Sequence, residues 1–194
     1  MPTQVWADKD AGEFFRELQR GQDRVGVMVF LCGTGITPRP KSGSRRGRVD
    51  LRLFMEEKLN SIPQCKVHLG EHRDMSAAHK AAVGRSSNLA TYEMDLAGRR
   101  RTDLIVIFPC SPGSFAELGM FTLRPKIARK MVVFVDKNRY SERSFLGAGV
   151  LKEAKRKAAR IHFVDYRDRP VIWNAINEEI KEKKADKYRG QADS

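Results

Sequence analysis

Five short apolar runs, each separated from the next by a helix-length stretch, constrain this chain more than any other feature. Residues 25–31, 66–69, 103–109, 131–135 and 161–164 carry them, and the first, third and fourth are apolar at consecutive rather than alternate positions. A strand that is apolar on both faces needs cover on both, the condition of a parallel sheet held between helix layers. Segments 49–61, 76–98 with a break at Gly84, 115–124 and 147–159 read as the crossover helices, and 12–20 and 170–184 as flanking ones. The pattern predicts one α/β domain over 1–194: a Rossmann-like, doubly wound, parallel five-stranded sheet of order 2-1-3-4-5 with helices on both faces. Residues 1–23 read as an N-terminal helical extension and 186–194 as a frayed tail.

A chain of 194 residues can bury about 70% of its unfolded surface without disulfides or metals. Cys32, Cys65 and Cys110 are odd in number and lack Cys-x-x-Cys spacing, so they read as reduced thiols of a cytoplasmic protein. The N-terminus has no signal-peptide layout, and no apolar run approaches the roughly 18 residues of a membrane helix. No membrane partner is expected.

The formal net charge of +13 favours an acidic partner such as nucleic acid, a nucleotide or an anionic surface. Basic residues gather at Lys41 to Arg48, at Arg99-Arg100-Arg101, and at Lys152, Lys155, Arg156, Lys157 and Arg160. The first group lies in 33–48, a stretch full of Gly, Pro and Ser that reads as a mobile basic loop and a candidate nucleic-acid contact. A solvated basic surface accounts for the same residues equally well.

The chemistry concentrates in Ser111-Pro112-Gly113-Ser114-Phe115-Ala116-Glu117, directly after the third apolar run. Pro112 and Gly113 force a sharp exit from the strand, and Gly113 admits close approach of another molecule. Ser114 is placed to start the following helix, whose first-turn amides favour a phosphate or a polar sugar edge. With Ser114 as cap, Glu117 has two readings. It completes a Ser-x-x-Glu capping box, or its carboxylate attacks or stabilises a sugar cation. In the 2-1-3-4-5 order the first and third strands are neighbours, so Cys32-Gly33-Thr34-Gly35 and the heptapeptide face each other across a crevice.

The run from Leu89 to Phe121, with Tyr92-Glu93-Met94-Asp95-Leu96, Asp103-Leu104-Ile105-Val106-Ile107 and Ser111 to Gly119, resembles the nucleoside 2-deoxyribosyltransferase family. It is also similar to the wider SLOG group of nucleotide-processing and nucleotide-sensing Rossmann-like domains, and to effectors of bacterial anti-phage systems, retron-associated ones included. The resemblance implies that Glu117, followed by Leu118-Gly119, is the nucleophile, that Asp95 orients the substrate, and that the protein self-associates. Cys32, Gly33, Thr34, Ser111, Pro112, Gly113 and Ser114 would hold ribose and phosphate. Six residues before the nucleophile the family carries an Asp that assists the base, whereas this chain has Ser111. A hydroxyl does not carry protons near neutral pH. The departure favours a substrate whose base leaves without help, such as NAD, so the expectation is an N-glycosidic hydrolase or transferase acting on NAD or a related nucleotide or nucleoside. A nucleotide-sensing module without turnover and a basic nucleic-acid-binding partner protein are the alternatives.

Other residues carry less. His68, His72, His79 and His162 show no metal-ligand spacing, and neither a metal nor a cofactor is expected. Cys110 adjoins the motif without a histidine placed to activate it. Gly33-Thr34-Gly35 lacks the Walker lysine. Glu93 either faces the crevice or pairs with an arginine, and the segment Arg124-Pro125-Lys126 departs from the family's return to the next strand.

Overall fold

A computed structural model of the chain describes residues 8–33, 46–70, 73–84 and 88–192. Five parallel strands form one sheet: β1 (Val27–Cys32), β2 (Cys65–His68), β3 (Leu104–Ile107), β4 (Met131–Asp136) and β5 (Arg160–Val164), in the order β2-β1-β3-β4-β5. This is the doubly wound arrangement that the apolar runs predict. β1 registers with β3 through Leu31 opposite Val106 and Cys32 opposite Ile107, and the Phe108 amide continues the ladder by donating to the Cys32 carbonyl at 3.1 Å. The two chain segments therefore leave the sheet side by side.

Two cores account for β1, β3 and β4 being apolar at consecutive positions. Val27, Val29 and Leu31, with Leu104, Val106, Val132 and Phe134, face α2 (Arg46–Asn60) and α8 (Arg169–Ala192). Leu51, Met55 and Leu59 of α2 and Ile172, Ile176 and Ile180 of α8 recur at helical spacing and complete that layer. Phe30, Cys32, Ile105, Ile107, Met131 and Val133 point the other way, onto α4 (Leu89–Gly98), α5 (Pro112–Thr122), α6 (Pro125–Ala128) and α7 (Lys152–Arg156). Alternate side chains of a strand point to opposite faces, so β1, β3 and β4 each feed both cores. α1 (Asp8–Asp23) packs on α8.

Several boundaries differ from expectation for identifiable reasons. The long helix predicted over 76–98 is divided into α3 (Arg73–Val83) and α4, and Gly84 between them has φ +62°, a left-handed conformation that glycine adopts without strain. α4 restarts at Asn88, whose side chain accepts from the Thr91 amide in a capping box. α5 begins three residues earlier than expected, at Pro112, with Ser111 rather than Ser114 as its cap. In the segment Arg124-Pro125-Lys126 the chain enters the one-turn helix α6, with Arg124 at its cap position and Pro125 in its first turn. Residues 146–151 form a π-helix rather than an α-helix, in which a Cβ on Gly147 would lie 2.5 Å from the Ser141 carbonyl oxygen, so the turn closes only around glycine.

α8 runs on to Ala192, past the expected end near Lys184. Lys184 Nζ donates to the Pro63 carbonyl at 2.9 Å, and Lys187 Nζ donates to the Gly26 carbonyl and to Asp103. Asp103 in turn accepts from the Met28 amide at 2.8 Å. Lysine stems reaching over apolar surface to backbone oxygens tie this helix to the amino ends of the strands. Among the described residues no helix is long and apolar enough to cross a membrane.

Candidate functional site

The carboxyl ends of β1 and β3 bring the Gly33 turn beside Phe108, three residues before the heptapeptide. A Cβ added at Gly33 would lie 3.6 Å from Phe108 Cβ and 3.3 Å from Arg52 Cδ, so the two exits pack in direct contact with Arg52. Of the basic loop expected over 33–48, residues 34–45, Thr34 included, lie outside the described residues, whereas 46–48 belong to the first turn of α2, which starts before the expected residue 49. Cys32 is buried in the core on the α4–α5 side. Its carbonyl is the group that meets the neighbouring exit.

The heptapeptide is a closed hydrogen-bonding unit. Ser111 is extended, at φ −137° and ψ 160°, and its Oγ accepts from the Ser114 amide at 3.2 Å. Ser114 Oγ accepts from the Cys110 and Ser111 amides at 3.0 and 2.9 Å and lies 3.0 Å from both the carbonyl oxygen and Oγ of Ser111. Ser114 is 1% exposed, which places its hydroxyl inside the turn. The Phe115 amide donates to the Ser111 carbonyl, and Pro112 has no N–H. Gly113 therefore carries the first-turn amide that helix geometry leaves over. It is exposed, and a Cβ there would meet nothing within 4 Å.

This arrangement excludes the capping-box reading of Glu117. The capping box is Ser111 with Ser114, and Glu117 sits one turn further on, in the sixth helical position. Proline at the first helical position is the arbiter, because its fixed φ suits that place and its missing amide would be an orphan anyway. Glu117 flanks the stripe formed by Ser114, Leu118 and Phe121, half-buried, with Oε2 shielded from solvent.

Asp95 and Glu93, two residues apart on α4, are placed very differently. Asp95 is 61% exposed at its side chain, and its Oδ2 meets Nε2 of the buried His79 on α3 at 2.9 Å. His79 in turn packs edge-on against Tyr92, with ring centroids 5.5 Å apart. The carboxylate expected to orient a substrate is thus engaged with α3. Glu93 is buried, and its Oε1 lies so close to Gly70, past the carboxyl end of β2, that a Cβ there would be 2.5 Å away. Glycine at 70 admits a second carboxylate to that end of the sheet. Burial also pushes the Tyr92 phenol above its ordinary range.

Arg52 is the residue that sequence reasoning missed. It is 2% exposed, and Nη2 donates to the Leu31 carbonyl at 3.1 Å, which puts a guanidinium beside the carboxyl end of β1. A signal existed: Arg52 shares a helical face with Met55 and Leu59, both fully buried. Among the described residues no group of three or more His, Cys, Asp or Glu side chains converges as a metal site would require.

Residues 48–194 match the model of the STM3845 retron effector protein family. Two curated Escherichia coli proteins are similar to the chain. One is named "Retron Ec86 putative ribosyltransferase/DNA-binding protein" and is 42% identical over 128 residues, 66% of this chain and 37% of that protein. The other, "Retron Ec73 putative ribosyltransferase/DNA-binding protein", is 29% identical over 146 residues, 74% of this chain and 43% of that protein. The chain spans about two fifths of the length of these relatives.

Proposed function

Because the chain belongs to the STM3845 retron effector family, we propose that this domain is the part of a defence effector that cleaves an N-glycosidic bond in NAD or a related nucleotide, with Glu117 as nucleophile. The observation that carries this reading is the position of Glu117 one turn beyond the Ser111–Ser114 cap, half-buried and on the helix that leaves the switch point of the sheet. A carboxylate used up in capping would not be available for chemistry, and this one is not used there. The word ribosyltransferase in the names of both relatives points the same way.

In the proposed reaction a Glu117 oxygen bonds to the anomeric carbon as the carbon–nitrogen bond breaks and its electron pair leaves with the base. Water then attacks the same carbon, restoring the carboxylate and releasing a proton. Ser111 Oγ receives the Ser114 amide and lies beside Ser114 Oγ, so it is a poor proton carrier for the departing base. A pyridinium nitrogen, which takes the electron pair and departs neutral, needs none. The Gly113 amide is the group that would meet a phosphate or a ribose hydroxyl, and Arg52 supplies positive charge behind the β1 exit.

The test is incubation of the chain with NAD and with nucleosides, followed by chromatography of free base. Release of nicotinamide that falls by about three orders of magnitude in Glu117→Gln supports the proposal. Equal release by both forms, or recovery of intact ligand that raises the melting temperature of both, rejects catalysis in favour of a nucleotide sensor.

A further inference from the structure

Away from Glu117, the free edge of β5 forms a second candidate site. β5 pairs with β4 alone among the described strands, and a groove of about 690 Å³ wraps its open side. That volume falls within the roughly 300–1,000 Å³ of small-ligand clefts. On one wall the Tyr140 ring lies tilted against Phe163, with centroids 4.5 Å apart and planes at 53°, and Phe163 remains 48% exposed. On the other, His162 stacks on Phe134 at 5.0 Å and Arg160 Nη2 lies 2.7 Å from the buried Glu179 carboxylate.

The groove's charged lining is Lys152, Lys155 and Arg160 with Glu142 and Glu179, of which Arg160 and Glu179 pair with each other. Glu153 binds Arg156 at 2.7 Å and Lys157 at 3.1 Å, which holds its carboxyl down at about 2. Lys152 and Lys155, at i and i+3 on the same helix, make no ion pair among the described residues, and both line the groove. Both also line a neighbouring hollow of about 470 Å³. Two hollows joined by a pair of lysines, with an exposed aromatic face in one, accommodate consecutive nucleotides better than a single enclosed one.

We propose that the β5 edge binds a segment of single-stranded nucleic acid, one base stacking on Phe163 and the adjoining phosphates meeting Lys152 and Lys155. Stacking on an aromatic face beside a cationic track is the recurring chemistry of single-strand binding, and it works for any base. Base-paired nucleic acid hides those faces. The site is independent of the Glu117 reaction and of the basic loop.

Fluorescence anisotropy of a labelled twelve-residue oligothymidylate, read with the whole chain over a salt series, tests the assignment. Phe163→Leu, which keeps apolar bulk and loses the ring, is expected to weaken binding about tenfold with an unchanged melting temperature. Lys152→Ala with Lys155→Ala is expected to reduce the slope of log affinity against log salt by about 1.4. A duplex of equal length should bind more weakly and be indifferent to Phe163→Leu. Wild-type binding in all groove variants overturns the proposal, as does loss only on neutralising Arg45, Arg46 and Arg48. Equal competition by adenosine monophosphate would make this a mononucleotide site, and a change of oligomeric state in Phe163→Leu without loss of oligonucleotide would make it a protein interface. Either outcome also overturns it.

Discussion

α4 and α5 lie against the same face of the sheet and pack on each other, and each opens with a capping box. At α4 the box is Asn88 with Thr91, on an exposed corner where Leu89 is 58% exposed. At α5 it is Ser111 with Ser114, at the exit of β3, where Ser114 is buried. The same local chemistry therefore finishes a helix on an exposed corner in one place and around a buried hydroxyl in the other. What separates them is the connection: α5 follows β3 directly at the switch point, whereas α4 follows another helix. A cap motif identifies a candidate site only through its address in the topology and through the groups it presents there, here the Gly113 amide and the Glu117 carboxylate.

The sharpest way to break this contrast is to remove capping side chains one at a time. Ser114→Ala deprives the Cys110 and Ser111 amides of their acceptor in a half-buried place, a loss expected to cost about 2–4 kcal/mol in a denaturant melt. Thr91→Ala and Asn88→Ala remove bonds that water can replace and should cost about 1 kcal/mol or less. Equal losses at the two helices would mean that the α5 turn is no better sealed than the α4 corner, and the case for a preformed site would weaken.

The same contrast explains what was legible in the chain. Strands apolar at successive positions, as β1, β3 and β4 are, admit few folds, so a parallel sheet between helix layers could be read from the pattern of runs. The cap of α5 was misplaced by three residues because Ser111, Ser114 and Glu117 stand at equal intervals, and each neighbouring pair satisfies the spacing of a box. Pro112 resolves the ambiguity, since proline is tolerated at the first helical position. The His79–Asp95 pair was hidden because it bridges two helices across the break at Gly84. Arg52, Lys184 and Lys187 were hidden for another reason: cations beside basic stretches read as solvated, while in the fold their donors reach backbone carbonyls. Helical spacing reveals the face such a residue occupies, but not the oxygen that waits there.

The smallest effect on stability should come from Gly113→Ala, and it is the most informative about the site. A Cβ there enters open space, and alanine in a helix is favoured over glycine by up to about 1 kcal/mol, less in the first turn. The fold should be unchanged or firmer by a few tenths of a kcal/mol in thermal melts. If the glycine is there to let a ligand reach the backbone, the added methyl will still weaken binding of NAD or ADP-ribose, measured by calorimetry, by about tenfold. At α4 the matching substitution is Ala90→Val, also at the second helical position beyond its cap, and it should leave ligand affinity untouched. A Gly113→Ala protein that binds as the wild type does would assign the residue to the turn alone, and α5 would then differ from α4 only in how deeply its cap is buried.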